Sequence, residues 1–531
     1  MNSEAQDKIA LVYCTRHTLE KLQNYPKRRN QFICVNAWRV KMNTPTFNTD
    51  GNKVFFDISG LINYIKKVDR YSGIQRVMVE LITEFTKLSD PKLIYLSWCE
   101  PRSGTQRCVL LEEIGRDTLA SPAKLRQLFH PRKAARSNLP VLDRYRRSPV
   151  KYYYHRTRLD VMSLLRSEAP FRKKDMTSKM WRAVRWGKAP KSTSGSRRTE
   201  QALFEVAAKG DHLVLLDSSW QAHQSQGFKM AKEHGMEVHT LVYDLIPIEA
   251  PQLTAGSMPY IFYDWLLTSR EYTSRYMTIS EATRRDLLCF FQAHDIQHTA
   301  TTVPLAQAGL SKTEPAENEV HQQGPVSSRI SFDAYPQLED ARHLNAHLRK
   351  IVGEPYALCV GTVELRKNIW RTAMAWKYLV DQGHTDLPKL IFAGRRGWVT
   401  TEFDLLMKGT GDVYGYVSEV KGPTDEELHV LYKNCQFVLM PSVYEGWGLP
   451  VGEALAYGKS AVVAENSSLV EVGMDLVEYC DAMSVKSIAE AVLRLNDPSH
   501  RATLEDKIKV ADLRSWSDVA QDMGQAMYAP R

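Results

Sequence analysis

NCQFVLMPSVYEGWGLPVGEALAYGK, residues 434–459, is the stretch from which the fold of this chain is best read. NCQFVLM is an apolar run of the kind that forms a buried parallel strand, and Pro441 ends it. Pro450 suits the first turn of a helix, where its missing N–H would have had no partner. Val451, Ala454 and Leu455 then make an apolar stripe, and Gly458 fits a carboxyl-terminal stop. Glu445 is therefore expected on the loop and Glu453 in the first turn of the helix. Gly446 and Gly448 between them let the backbone approach a ligand closely. Exposed amides at a helix start favour an anion such as a phosphate. Two carboxylates beside a phosphate would repel it unless they aim elsewhere, and sugar hydroxyls are their natural target. A plainer alternative is a Gly-Pro turn with a capping glutamate.

Outward from this stretch the same alternation repeats. YALCVGTVELRKN (356–368), LPKLIFAGRRGW (387–398), DVYGYVS (412–418) and KSAVVAENSSL (459–469) read as strands with their loops, separated by helical segments. An earlier series comprises KVFFDISGL (53–61), KLIYLSW (92–98), HLVLLDSSW (212–220), MEVHTLVYDLIPIEAP (236–251), YMTIS (276–280) and TTVPLAQAG (301–309). A helix is expected from Gly73, since Val77, Leu81 and Phe85 recur at helical spacing. Ser280 reads as the cap of another helix. Two βα series imply an α/β chain of two doubly wound domains facing each other across a cleft, with ligands at the carboxyl ends of strands. The expected division is an extension over 1–52, a first domain over 53–310, a linker over 311–350, a second domain over 351–510 and a terminal helix over 511–531. Trp516 would anchor that helix, or serve as an ordinary core residue.

The chain has 531 residues, a formal charge of +9, and 43% apolar and 25% charged residues, an ordinary globular composition. Its eight cysteines are scattered without a C-x-x-C pair, which suits reduced thiols in a cytosolic compartment. The amino terminus lacks the pattern of a signal peptide, and no apolar run approaches a membrane span. A soluble or peripheral cytoplasmic protein is expected. The charge is unevenly spread: Lys124 to Arg198 holds 22 Lys/Arg against four acids, a net of +18, and the remainder sums to −9. This segment lies in an expected insertion over about 100–205 and mixes Arg and Lys with aromatic residues. It suits an anionic membrane face at the inner membrane, or nucleic acid, or a solvated segment with no partner.

E-G-W-G-L-P-V-G-E over 445–453 resembles the E-x7-E signature of family 4 retaining glycosyltransferases of the GT-B type. GTVELRKN (361–368) resembles that family's phosphate loop, with Leu365 where proline is usual. DISGL and SGIQRVMVEL resemble the amino-terminal half of a branch serving bacterial surface polysaccharides. The resemblance is close over about 350–515 and looser over 53–90 and 210–310. It implies that Glu445 holds donor-sugar hydroxyls and that Glu453 binds the donor near the ribose. The backbone from Gly446 through Trp447 and Gly448 to Leu449 would contact sugar and phosphate. Arg366 and Lys367 would neutralise the diphosphate, Gly73 would lie in a loop closing over it, and Asp244 would stand close to the reacting sugar.

The activity this resemblance implies is hexose transfer, with mannose from GDP-mannose the best choice and a UDP-linked donor the alternative. The acceptor would be a lipid-linked or growing saccharide of lipopolysaccharide O-antigen or capsule. No D-x-D triplet is present, so metal independence is expected, and no cofactor beyond the nucleotide-sugar. The rivals are another GT-B enzyme, such as an epimerase or phosphorylase, and a nucleic-acid-binding protein built on the basic segment.

Overall fold

The computed structural model describes residues 51–309 and 344–529, apart from gaps at 67, 69, 101–102, 218–219, 221 and 345 and much of 131–147 and 168–199. Eight strands form the first sheet: β1 Val54–Asp57, β2 Ile94–Cys99, β3 Gln106–Leu110, β4 Gln201–Ala202, β5 His212–Leu215, β6 Glu237–Val242, β7 Arg275–Thr278 and β8 Ala300–Thr302. Their order is β4-β3-β2-β1-β5-β6-β7-β8, parallel throughout except where β3 pairs antiparallel with β2 and β4. Part of the segment read as an insertion over 100–205 therefore completes the edge of this sheet.

The second sheet holds β9 Tyr356–Val360, β10 Lys389–Gly394, β11 Val417–Lys421, β12 Phe437–Met440, β13 Ala461–Ala464 and β14 Glu478–Cys480. It is all parallel, in the order β11-β10-β9-β12-β13-β14. Renumbered from β9, this is 3-2-1-4-5-6, the doubly wound order whose ligands bind where the winding reverses, between β9 and β12. The central strands β9, β10, β12 and β13 are almost wholly buried, as in sheets covered on both faces.

Three local expectations need correction. The strand placed over 412–418 begins only at Val417, because residues 411–414 all take left-handed backbone angles at the end of the helix Thr401–Gly415. The helix after Glu445 starts at Leu449 with Gly448 as its cap, so Pro450 lies in the first turn as expected, while Glu453 is the fifth residue, just past that turn. A helix, Ala346–Val352, begins within the stretch 311–350 read as linker. The extension over 1–50 and the linker from 311 to 343 lie outside the described residues.

The helix Trp516–Tyr528 returns to the first domain. Its buried face, Val519, Ala520, Met523 and Met527, joins the core that holds Val77, Leu81 and Phe85 of the helix Gly73–Leu88. Trp516 is only partly buried against that core. Arg514 leads the chain across: its Nε donates to the Pro304 carbonyl at 2.8 Å, and its own carbonyl accepts from the Gln307 amide at 2.8 Å. Among the described residues no helix is long and apolar enough to cross a membrane.

Met523 is fully buried. Met523→Ala should cost about 3 kcal/mol through lost contacts and a cavity. Calorimetry would check it, as a fall in the unfolding temperature of the domain containing β1–β8.

Candidate active site

The reversal in the second sheet brings the loops after β9 and β12 side by side. After β9 the chain makes the turn Leu365–Lys367, and Asn368 follows in a left-handed conformation with φ 58°. A non-glycine residue tolerates this when its side chain is well bonded. Asn368 Nδ2 donates to the carbonyls of Pro441 (2.9 Å) and Ala482 (2.6 Å), tying together the loops after β9, β12 and β14. The Val443 amide also donates to the Arg366 carbonyl at 2.9 Å.

This framework places Glu445 between two cations. Lys367 Nζ lies 2.7 Å from one carboxylate oxygen, and Arg366 Nη1 pairs with the other. Arg366 Nη2 also reaches Glu364 at 3.1 Å. Burial by itself would raise the Glu445 carboxyl, but Arg366 and Lys367 outweigh it and hold it at about 2. Burial opposes the charge on Arg366, yet Glu445, Glu364 and Asp244 more than compensate and raise its pKa. The loop is braced by Ser467 and Ser468. Ser467 Oγ accepts from the Glu445 amide at 3.1 Å, and Ser468 Oγ donates to the carbonyls of Glu445 and Trp447, each at 2.9 Å.

The first domain closes on this loop. A methyl group added at Gly446 would lie 2.1 Å from the Tyr243 carbonyl oxygen and 3.0 Å from Asp244 Cβ, so only glycine permits the approach. Asp244 thus stands beside Gly446 and feels the charge of Arg366. Burial is the stronger influence and pushes its carboxyl up. Gly73 opens its helix rather than sitting in a loop, and a methyl group added there would lie 3.6 Å from Leu449 Cδ1 across the boundary. Trp447 is buried, its indole N–H donating to the Ala306 carbonyl at 3.3 Å.

Glu453 occupies a different place from Glu445. One oxygen pairs with Arg76 of the first domain, and the other accepts from the Tyr432 hydroxyl at 2.6 Å. The Tyr457 ring stacks on Tyr432 with centroids 5.3 Å apart. Arg76, Tyr432, Glu364 and Asn368 are members of the site that the sequence alone does not single out. Arg76 lies within SGIQRVMVEL, but its partner is 377 positions away. Two further contacts cross the boundary: Glu471 accepts from the amides of Glu281 and Ala282, both at 2.8 Å, and Tyr444 bonds Asp286.

The first sheet has its own reversal, between β1 and β5. Asp57 ends β1, and Asp217 follows β5 on the far side of Gly60. Burial pushes the Asp57 carboxyl up to about 7, Ser59 opposing through two hydrogen bonds and Asp217 adding to the rise.

Residues 342–509 match the family described as Glycosyl transferases group 1. The matched stretch holds the second sheet and the loops carrying Arg366, Lys367 and Glu445. Among individual proteins, the chain is 34% identical over 154 residues to O-antigen chain mannosyltransferase B of Escherichia coli, covering 29% of this chain and 40% of that one. It is 21% identical over 252 residues to the serotype-specific mannosyltransferase WbdA of Escherichia coli, covering 48% of this chain and 29% of that one. The chain therefore spans less than half the length of these relatives. Two solved structures are similar: sucrose-phosphate synthase from Thermosynechococcus elongatus (17% identity, TM-score 0.42, covering 59% of this chain and 72% of that one) and Anabaena HepE with UDP and glucose (8%, TM-score 0.49, 90% and 100%).

Two outcomes test this geometry. Asp57 is raised above its unfolded value, so its contribution to stability is present at low pH and lost as pH rises through about 7. Urea midpoints should fall between pH 5 and pH 8 by more in the native chain than in Asp57→Asn. Gly446→Ala should force the domains apart at Tyr243, read as a larger radius of gyration in small-angle scattering with unchanged secondary structure.

Proposed function

We propose that this chain is a retaining glycosyltransferase that moves a hexose, best assigned as mannose from GDP-mannose, to a lipid-linked or growing saccharide in bacterial surface-polysaccharide synthesis. The observation that carries the reading is Glu445 held between Arg366 and Lys367 where the second sheet reverses, with Asp244 opposite. The names of the O-antigen mannosyltransferase and WbdA support the choice of mannose.

In this reading the donor diphosphate competes for the two cations. As Arg366 and Lys367 turn to the phosphates, Glu445 is released to accept hydrogen bonds from sugar hydroxyls, already ionised because its pKa is about 2. The leaving diphosphate gains charge as the glycosidic bond breaks. Arg366, Lys367 and the amides opening the helix Leu449–Ala456 stabilise that charge, the role that preorganised dipoles and cations fill best. A phosphate oxygen accepts the acceptor proton on the same face, which retains configuration without a covalent sugar intermediate. Side-chain cations do the neutralising, so turnover needs no metal. Gly73 to Leu449 and Glu453 to Arg76 mark where the first domain closes over the nucleotide.

A panel of labelled sugar nucleotides with a saccharide acceptor tests this. Transfer from GDP-mannose should persist in EDTA, and Lys367→Ala should lower kcat by about 10²–10³. Glu445→Gln should weaken sugar transfer more than it weakens binding of free GDP. Absence of transfer and hydrolysis with every donor would overturn the assignment, and loss of turnover in EDTA restored by Mn²⁺ would overturn its metal independence.

A further inference from the structure

The helix Pro149–Leu164 lies in the basic segment, remote in sequence from every site residue. Its inner face is held by a small core of its own. Leu159 packs with Leu142, Phe171 and Trp181, all buried, and Tyr152 covers them. Trp181 Nε1 donates to Asp160 Oδ1 at 2.9 Å, which fixes the rotation of the helix and ties down its one acidic side chain.

The outer face is unusual for a helix in solvent. Val150 is 81% exposed, Tyr153 58%, Tyr154 63%, Val161 49% and Leu164 63%, and Leu165 just beyond the last turn is 71% exposed. At 3.6 residues per turn, the first five fall within an arc of about 100°, with only Thr157 among them and no charge. Three basic residues and Asp160 flank the arc. Lys151 and Arg158 border one side. On the other, Arg156 sits 5.1 Å over the Tyr153 ring and 3.9 Å from Asp160. Soluble helices place charge outward and apolar residues inward. Here both faces are apolar, and the basic residues lie along the rim.

We infer that the helix Pro149–Leu164 lies flat in the headgroup region of an anionic bilayer, with Val150, Tyr153, Tyr154, Val161 and Leu164 directed into the membrane. This rests on the proposed membrane-bound acceptor and names the element that meets the lipid. The chemistry of the surface selects the occupant. A net charge of +18 over 124–198 complements phosphate-bearing lipid, each basic residue near such a surface contributing about 1 kcal/mol. Tyrosines with an apolar body and a polar tip suit the boundary between headgroups and acyl chains. At 16 residues the helix is about 24 Å long, short of what a crossing requires, so it lies in the interface plane.

Sedimentation of the full chain with phosphatidylcholine vesicles, with and without phosphatidylglycerol, tests this. The native protein should partition onto the anionic vesicles and be partly released by raised salt. Tyr153→Ser/Tyr154→Ser/Leu164→Ser should reduce partition at least about tenfold, and Lys151→Glu/Arg158→Glu should reduce it and weaken its salt dependence. Transfer to a water-soluble acceptor should be unchanged in both. An environment-sensitive label at Val161→Cys should shift to shorter emission wavelength with anionic vesicles. Three results would overturn the inference: no partition of the native chain, undiminished partition of the triple-serine variant, or a native dimer that this variant dissolves, which would assign the face to a second copy. If partition follows the stripe but no donor supports transfer, the enzymatic reading fails and this inference stands.

Discussion

The Glu445 carboxylate, enclosed between Lys367 and Arg366, is the contact around which the second domain is arranged. A buried carboxylate is costly unless its charge is matched and its oxygens are bonded. Matching it requires the β9 and β12 loops to stay in register within a fraction of an ångström. Asn368 supplies that register through two carbonyls, and Ser467 and Ser468 add to it. The left-handed conformation at Asn368 belongs to the same arrangement, because without it the amide could not reach both Pro441 and Ala482. A single charged group therefore links the order of the strands to the chemistry at their ends.

The two glutamates of the motif, alike in sequence, divide their labour. Glu445 is satisfied within its own domain. Glu453 is satisfied half by Tyr432 and half by Arg76 from the opposite domain. With Glu471 at the start of the helix Glu281–Ala293 and Gln307 Nε2 donating to the Val472 carbonyl at 2.7 Å, this gives the boundary specific polar contacts. These polar contacts fix the register of a boundary that also carries apolar packing, of Ile246, Ala250 and Leu253 against Leu365, Val443 and Tyr444.

Much of this is legible in the sequence. Alternating βα segments point to the two-domain α/β class, and glycines and prolines after apolar runs locate the loops where Arg366, Lys367 and Glu445 meet. Arg76 escapes because its importance depends on a partner 377 positions away, and nothing local in SGIQRVMVEL distinguishes it from a solvated helix arginine. Tyr432 escapes because a tyrosine on an amphipathic helix reads as core packing, which it also is. The strand expected over 412–418 fails for a local reason: four successive left-handed residues close the preceding helix, and β-forming side chains at Val413 and Tyr414 do not reveal that. Asp57 reads as the end of a strand, and its neighbour across the sheet reversal becomes visible only once β1 and β5 are paired.

The helix Trp516–Tyr528 carries a consequence for how the molecule is made. Its apolar side completes a core begun by the helix Gly73–Leu88, so that core stays open until residues about 430 positions later leave the ribosome. At about 5–20 residues per second the wait is about 20–90 s. Through that interval Val77, Leu81 and Phe85 lack part of their cover. The nascent amino-terminal half is thus a natural client for chaperones, and its final consolidation waits on synthesis of the whole second domain.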